Sequence, residues 1–189
     1  MKAKKFLVSA TAFMTALLSA VLFVGCQKKE PAQADYPYYA NSREIYDASD
    51  VIIIGKVTTA GSVRNLNVYE DSGKTEKYTV SSVEILQVIK GDVNVGDVIE
   101  VKQLGDKEHP ETELAEIDGY FKEGTEQLLF LAAFESTPYS TVNPAQGAVE
   151  VRDGKLYSAS KYSLFGFAER NAEHMSVESV TDELMGFSK

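Results

Sequence analysis

Hydrophobic positions fall into one continuous block near the start of the chain and then into short runs separated by polar turns. From Phe6 to Val24 no residue is charged, and Met1-Lys-Ala-Lys-Lys5 precedes the block as a positive flank. At about 1.5 Å per residue the block could cross a bilayer as a helix. Ser9, Thr11, Thr15 and Ser19 dilute it, in the manner of a secretory signal peptide. Residues 27–39 carry no apolar period and read as a flexible tether with a reach of about 20 Å, closed by Tyr36, Tyr38 and Tyr39. Asn41 with Glu44 three residues later is a helix-starting pair, so a short helix is expected to end before Asp50.

The remaining pattern is that of strands. Val51-Ile-Ile-Ile-Gly55-Lys-Val57 is rich in β-branched residues, and its glycine suggests a bulge or tight bend. Hydrophobic density then falls through Glu70-Asp71-Ser72-Gly73-Lys74, a turn at the tip of a long hairpin, and 78–89 is the return strand. Over 98–104, Ile99 and Val101 alternate with Glu100 and Lys102, which places the charged pair outward. Gly105 to Gly119 is a polar excursion. Gln-Leu-Leu-Phe-Leu-Ala-Ala-Phe over 127–134 is the most apolar strand and is expected to be central, with Leu129 and Leu131 opposite Leu128 and Phe130. Arg152-Asp153-Gly154-Lys155 marks a hairpin turn within 147–159. Val177, Val180 and Leu184 fit one helical face that stops near Gly186. The expectation is a mostly β domain over 41–189, with five to six antiparallel strands between a short N-terminal helix and a C-terminal helix.

Composition narrows the function classes. The 189 residues include 19 Lys+Arg against 28 Asp+Glu, a net charge of −9. Lys2, Lys4 and Lys5 all precede the first acidic residue, so the chain beyond them is three charges more negative still. Such a surface repels phosphate backbones, and nucleic acid is excluded as a partner. A hydrophobic fraction of 44%, with ten Tyr and nine Phe, suffices for a buried core.

The single cysteine cannot form a disulfide within the chain. Its setting, Val24-Gly25-Cys26 at the end of the apolar block, resembles the lipobox of bacterial lipoproteins, with Phe23 where Leu is usual. The resemblance implies removal of residues 1–25, lipidation of Cys26, a tether over 26–40, and a mature protein held outside the cytoplasmic membrane. Two acyl chains, at about 0.8 kcal/mol per buried CH₂, make a stable anchor.

A second resemblance rests on three segments: Ala48-Ser-Asp50-Val-Ile-Ile-Ile-Gly55-Lys-Val57, Val83-Glu-Ile-Leu-Gln-Val-Ile-Lys90-Gly91, and Phe121-Lys-Glu-Gly124-Thr-Glu-Gln-Leu-Leu-Phe-Leu131. Their order is similar to that in a family of uncharacterised bacterial lipoproteins and secreted proteins. More distantly, it resembles the netrin-like domain of tissue inhibitors of metalloproteinases. It implies an OB-fold-like barrel. The inhibitors' mechanism does not carry over: it needs a free N-terminal cysteine and disulfides, and Cys26 is here expected to be acylated and followed by a tether.

Candidate chemistry is sparse. Of two histidines, His109 stands beside Glu108, Glu111 and Glu113, a set that could hold a hard cation weakly but lacks the spacing of a calcium loop. His174 lies in a polar connector. No Gly-x-Ser-x-Gly, His-Glu-x-x-His or phosphate-binding glycine loop is present, and no cofactor is implied. The sequence therefore points to a lipid-anchored binding module without catalytic activity. It would present the loops 60–77 and 105–119 to a protein partner, such as a protease or an envelope component. The competing expectation is a carboxylate- or cation-dependent hydrolase with its site in the 105–119 excursion.

Overall fold

The first strand sets the geometry of everything after it. In the computed structural model, which describes residues 36–67, 73–109, 119–165 and 174–188, β1 (Val51–Asn67) pairs antiparallel with β2 (Thr75–Lys90) along their whole length. The segment 60–67, expected as loop, is strand: its polar residues are held by backbone pairing, which needs no apolar side chains. Register shifts interrupt the hairpin, one of them between Ile54 and Gly55 where the bend is expected. A Cβ on Gly55 would fall 2.4 Å from Val83 Cγ1, so only glycine allows β2 to approach this closely.

From β2 the chain turns into β3 (Val98–Leu104), then crosses to β4 (Glu126–Ala132). One edge of β4 pairs with β1, Val51 opposite Leu131 through Lys56 opposite Glu126. Its other edge is divided between β5 (Tyr139–Thr141) and β6 (Ala148–Arg152). The most apolar strand is thus central, as its pattern requires. Because β5 also pairs with β3, the pairings run β1-β2-β3-β5-β4 and back to β1, a ring of five strands, with β6 and β7 (Lys155–Tyr157) extending the sheet from β4.

This corrects the expected count of five to six strands, all antiparallel: among the described residues there are seven, and β3 with β5 is a parallel pair. Tyr-Ser-Thr is too short to show a period of two, and a parallel partner is fixed only by the long path of the chain. The β6–β7 turn follows the sequence, with Asp153 and Gly154 at φ 49° and 70°. Those values match a two-residue turn whose twist suits the flanking strands.

Alternation along β1 and β4 divides the core in two. Val51, Ile53, Leu129 and Leu131 face into the ring with Val83, Ile85, Val101 and Phe121. Ile52, Ile54, Leu128 and Phe130 face out and meet Val149, Leu156 and Phe165 and the two helices. On β2, Leu86 is left 37% exposed. Helix α1 (Ser42–Ala48) is capped by Asn41, whose side chain accepts from the Glu44 amide, and contributes Ile45 and Tyr46 to the outer cluster. Lys90 closes the other end, donating from Nζ to Tyr46 O (2.8 Å) and Ser49 O (2.6 Å). Helix α2 (Val177–Gly186), capped by Ser176, adds Val180 and Leu184. Each of these fully buried aliphatic side chains contributes about 1.5–3 kcal/mol relative to exposure.

The segment ahead of α1 is fastened to the domain. Gln146, 2% exposed, accepts from the Tyr39 amide at 2.9 Å and donates to Tyr39 O at 2.9 Å. Asn143 Nδ2 donates to Pro37 O at 2.8 Å. Residues 1–25 and Cys26 lie outside the described residues. Among those described, no helix is long and apolar enough to cross a membrane.

Candidate functional site

The polar excursion after β3 begins with a turn built around a residue that the sequence reading passed over. Asp106, 8% exposed, accepts from the Glu108 amide at 2.9 Å through Oδ1. Its Oδ2 meets Lys77 Nζ and His109 Nδ1, each at 3.2 Å. The Glu108 amide is the largest influence holding the Asp106 carboxyl down, to about 2; burial opposes it, and His109 and Lys77 assist. Thr79 ties the turn to β2, donating to Gly105 O at 3.0 Å and accepting from the Lys107 amide at 3.2 Å. Of the four residues suggested as a cation site, Glu111 and Glu113 lie outside the described residues, while Glu108 and His109 both bond to Asp106. Among the described residues no group of three His, Cys, Asp or Glu side chains is placed to hold a metal ion. The sequence signal for Asp106 was present: an aspartate just after glycine, two residues before the amide it accepts from, is an Asx turn.

His174 stacks on Tyr157, ring centroids 3.8 Å apart, and its buried Nδ1 has no hydrogen-bond partner among the described residues. Both residues line a cleft of about 340 Å³ beside β4, β6 and β7. Its charged pair is internally matched, since Arg152 grips Glu150 through two bonds of 2.6 Å. Gln127 on the same wall donates to Thr125 at 3.1 Å. The Glu150–Arg152 pair and Gln127 are thus engaged within the cleft wall, while His174 Nδ1 is left without a partner among the described residues.

The outer face of β2 and β3 is different. Alternation places Lys102 outward, and so it is, yet the residue is only 3% exposed. The connection from β4 to β5 folds back over it. Phe134 lays its ring on the ammonium, with Nζ 3.8 Å from the centroid, and Tyr78 of β2 offers a second ring at 5.5 Å. Nζ donates to Thr137 Oγ1. No carboxylate pairs with Lys102 among the described residues; Glu100, two positions away on the same face, is held by Arg64 through bonds of 2.6 and 2.9 Å. Burial lowers the Lys102 pKa from its ordinary value, the expected response of an ammonium removed from water. Phe134 itself remains 52% exposed, with its face toward β3 on the cation. The alternation along β3 showed the direction of Lys102 and could not show its cover, which arrives from Phe134 and Thr137, 32 and 35 residues downstream.

Comparison of the chain with protein-family models, curated proteins and solved structures finds no match.

Proposed function

We propose that this protein is a lipid-anchored extracytoplasmic binding module without catalytic activity. It presents the outer face of β2 and β3, with the connections flanking that face, to a protein partner. The observation that carries this reading is Phe134: a half-exposed aromatic ring held over a buried lysine in the middle of a sheet face, on a scaffold stiffened by two apolar clusters. Exposed aromatic residues at the centre of a surface are favourable anchors, because they bring a large apolar area to a partner.

The fold half of the proposal is an OB-fold-like, netrin-like barrel. It draws support from the ring order β1-β2-β3-β5-β4 and the parallel β3–β5 closure, a Greek-key path, together with the three sequence segments noted above. In that fold the strand two and three face and the β4–β5 connection are where ligands bind, which are the elements carrying Tyr78, Lys102 and Phe134. The anchor half draws support from the uncharged block Phe6 to Val24 and the Val24-Gly25-Cys26 motif.

The test begins with full-length protein extracted from membranes in detergent. Mass analysis is expected to find an N-terminal acylated Cys26; Met1 or an unmodified Cys26 in that sample sinks the anchor. Immobilised on beads, the wild type is expected to retain an envelope protein that Phe134→Ala no longer retains. Equal retention by the variant removes the proposed face, and release of a small product during incubation moves the protein to the enzymes.

A further inference from the structure

Lys102 is a charged site that the fold leaves incomplete. An ammonium has three N–H donors, and here one reaches Thr137 Oγ1 while Phe134 and Tyr78 supply only ring faces. Cation–π attraction offsets part of the burial of a charge, and among the described residues the two remaining donors meet no acceptor. Buried cations are ordinarily matched by a carboxylate, and Glu100, two positions away on the same face of β3, is already committed to Arg64. Phe134, on the β4–β5 connection, has the ring nearest the ammonium and is itself 52% exposed.

Resting on the binding role above, we propose that Lys102, Tyr78, Phe134 and Thr137 form a recognition site for a single carboxylate carried beside an apolar group. Such a group is found at the C-terminus of a peptide ending in an apolar residue, and in a small aryl- or alkyl-carboxylic acid. The carboxylate oxygens enter as Phe134 turns aside and accept the two free N–H bonds of Lys102, while the ligand's apolar part stacks on the displaced ring and on Tyr78. Charge-assisted bonds of this kind are the strong ones. The net charge of −9 weighs against a polyacidic ligand, which the rest of the surface would repel; one carboxylate beside apolar surface meets a single buried cation without that cost.

The experiment titrates the full-length protein in detergent with N-acetyl-phenylalanine and with N-acetyl-Ala-Ala-Ala-Phe, each as free acid and as carboxamide, by calorimetry. The free acids are expected to bind about tenfold or more tightly than the amides, the value of one well-formed charge-assisted bond. The preference is expected to vanish in Lys102→Met, which keeps the length of the side chain and its contact with the rings. Tighter binding of the tetrapeptide than of the small acid assigns a peptide terminus; equal binding assigns a small acid. Equal affinity for acid and amide in the wild type, or no binding of either, overturns the proposal whether or not the variant folds. Capture of a partner that depends on Phe134 is read separately, so a failed titration leaves that result standing.

Discussion

The rings of Phe130 and Phe165 lie parallel, at an interplanar angle of 4° and a centroid separation of 5.7 Å. Phe130 is fully buried on β4, but on the side of the strand that faces the helices rather than the interior of the ring of strands. The contact therefore joins sheet to outer layer. Phe130→Ala is expected to cost about 3–5 kcal/mol, because Ile52, Ile54 and Leu128 are held by strand pairing and cannot move into the cavity. Denaturant unfolding measures the loss, and an unchanged midpoint would contradict this packing.

Gly55 should be replaceable only together with its neighbour. Its added Cβ would meet Val83 Cγ1 at 2.4 Å and Glu84 O at 3.2 Å. Gly55→Ala is expected to destabilise by about 1–3 kcal/mol through overpacking. The pair Gly55→Ala with Val83→Ala should lose less than the sum of the two single changes, since the second removes the clashing methyl. Strict additivity in a double-mutant cycle would show that the strands do not meet there.

Gln146 holds the chain ahead of α1 to the domain through two bonds, to Tyr39 N and Tyr39 O at 2.9 Å each, and also donates to Tyr162 O at 3.0 Å. Gln146→Ala strands those backbone groups in a buried place and is expected to cost about 1–3 kcal/mol. Hydrogen exchange is the sharper measurement: the Tyr39 amide should lose protection in the variant while amides of β4 keep theirs. Equal protection at Tyr39 would mean that other contacts hold the segment.

Asp106 predicts a response to acid. Its carboxyl titrates near 2 in the folded chain, below the usual range near 4, so its contribution is complete above about pH 4 and is lost as pH falls through 2. Asp106→Asn should thus lower stability at pH 6, and the gap to wild type should narrow between about pH 4 and 2. A carbon-detected titration of the Asp106 carboxyl gives the midpoint directly, and a value near 4 would show that the turn does not hold the charged form.

What the sequence by itself determined are the features whose causes are local. Asn41 and Ser176 start helices because a side-chain oxygen reaches an amide three residues on, and Asp153-Gly154 turns a hairpin because its backbone tolerates positive φ. Leu128 to Leu131 alternate onto opposite faces because strand geometry repeats every two residues, and such apolar density on both faces requires a central strand. The tertiary structure alone decided what comes from far along the chain. β5 exists because β3 and β4 both offer edges to three residues that carry no pattern of their own. Asp106 owes its low pKa first to the Glu108 amide of its own turn, and only the added Lys77 contact, from 29 residues earlier, comes from far along the chain. Lys102 looks like a solvated residue on an alternating strand, and it becomes a buried cation only when Phe134 and Thr137 return over the sheet. Periodicity reports the direction of a side chain from its own backbone, whereas the cover above it depends on the path of the chain through space.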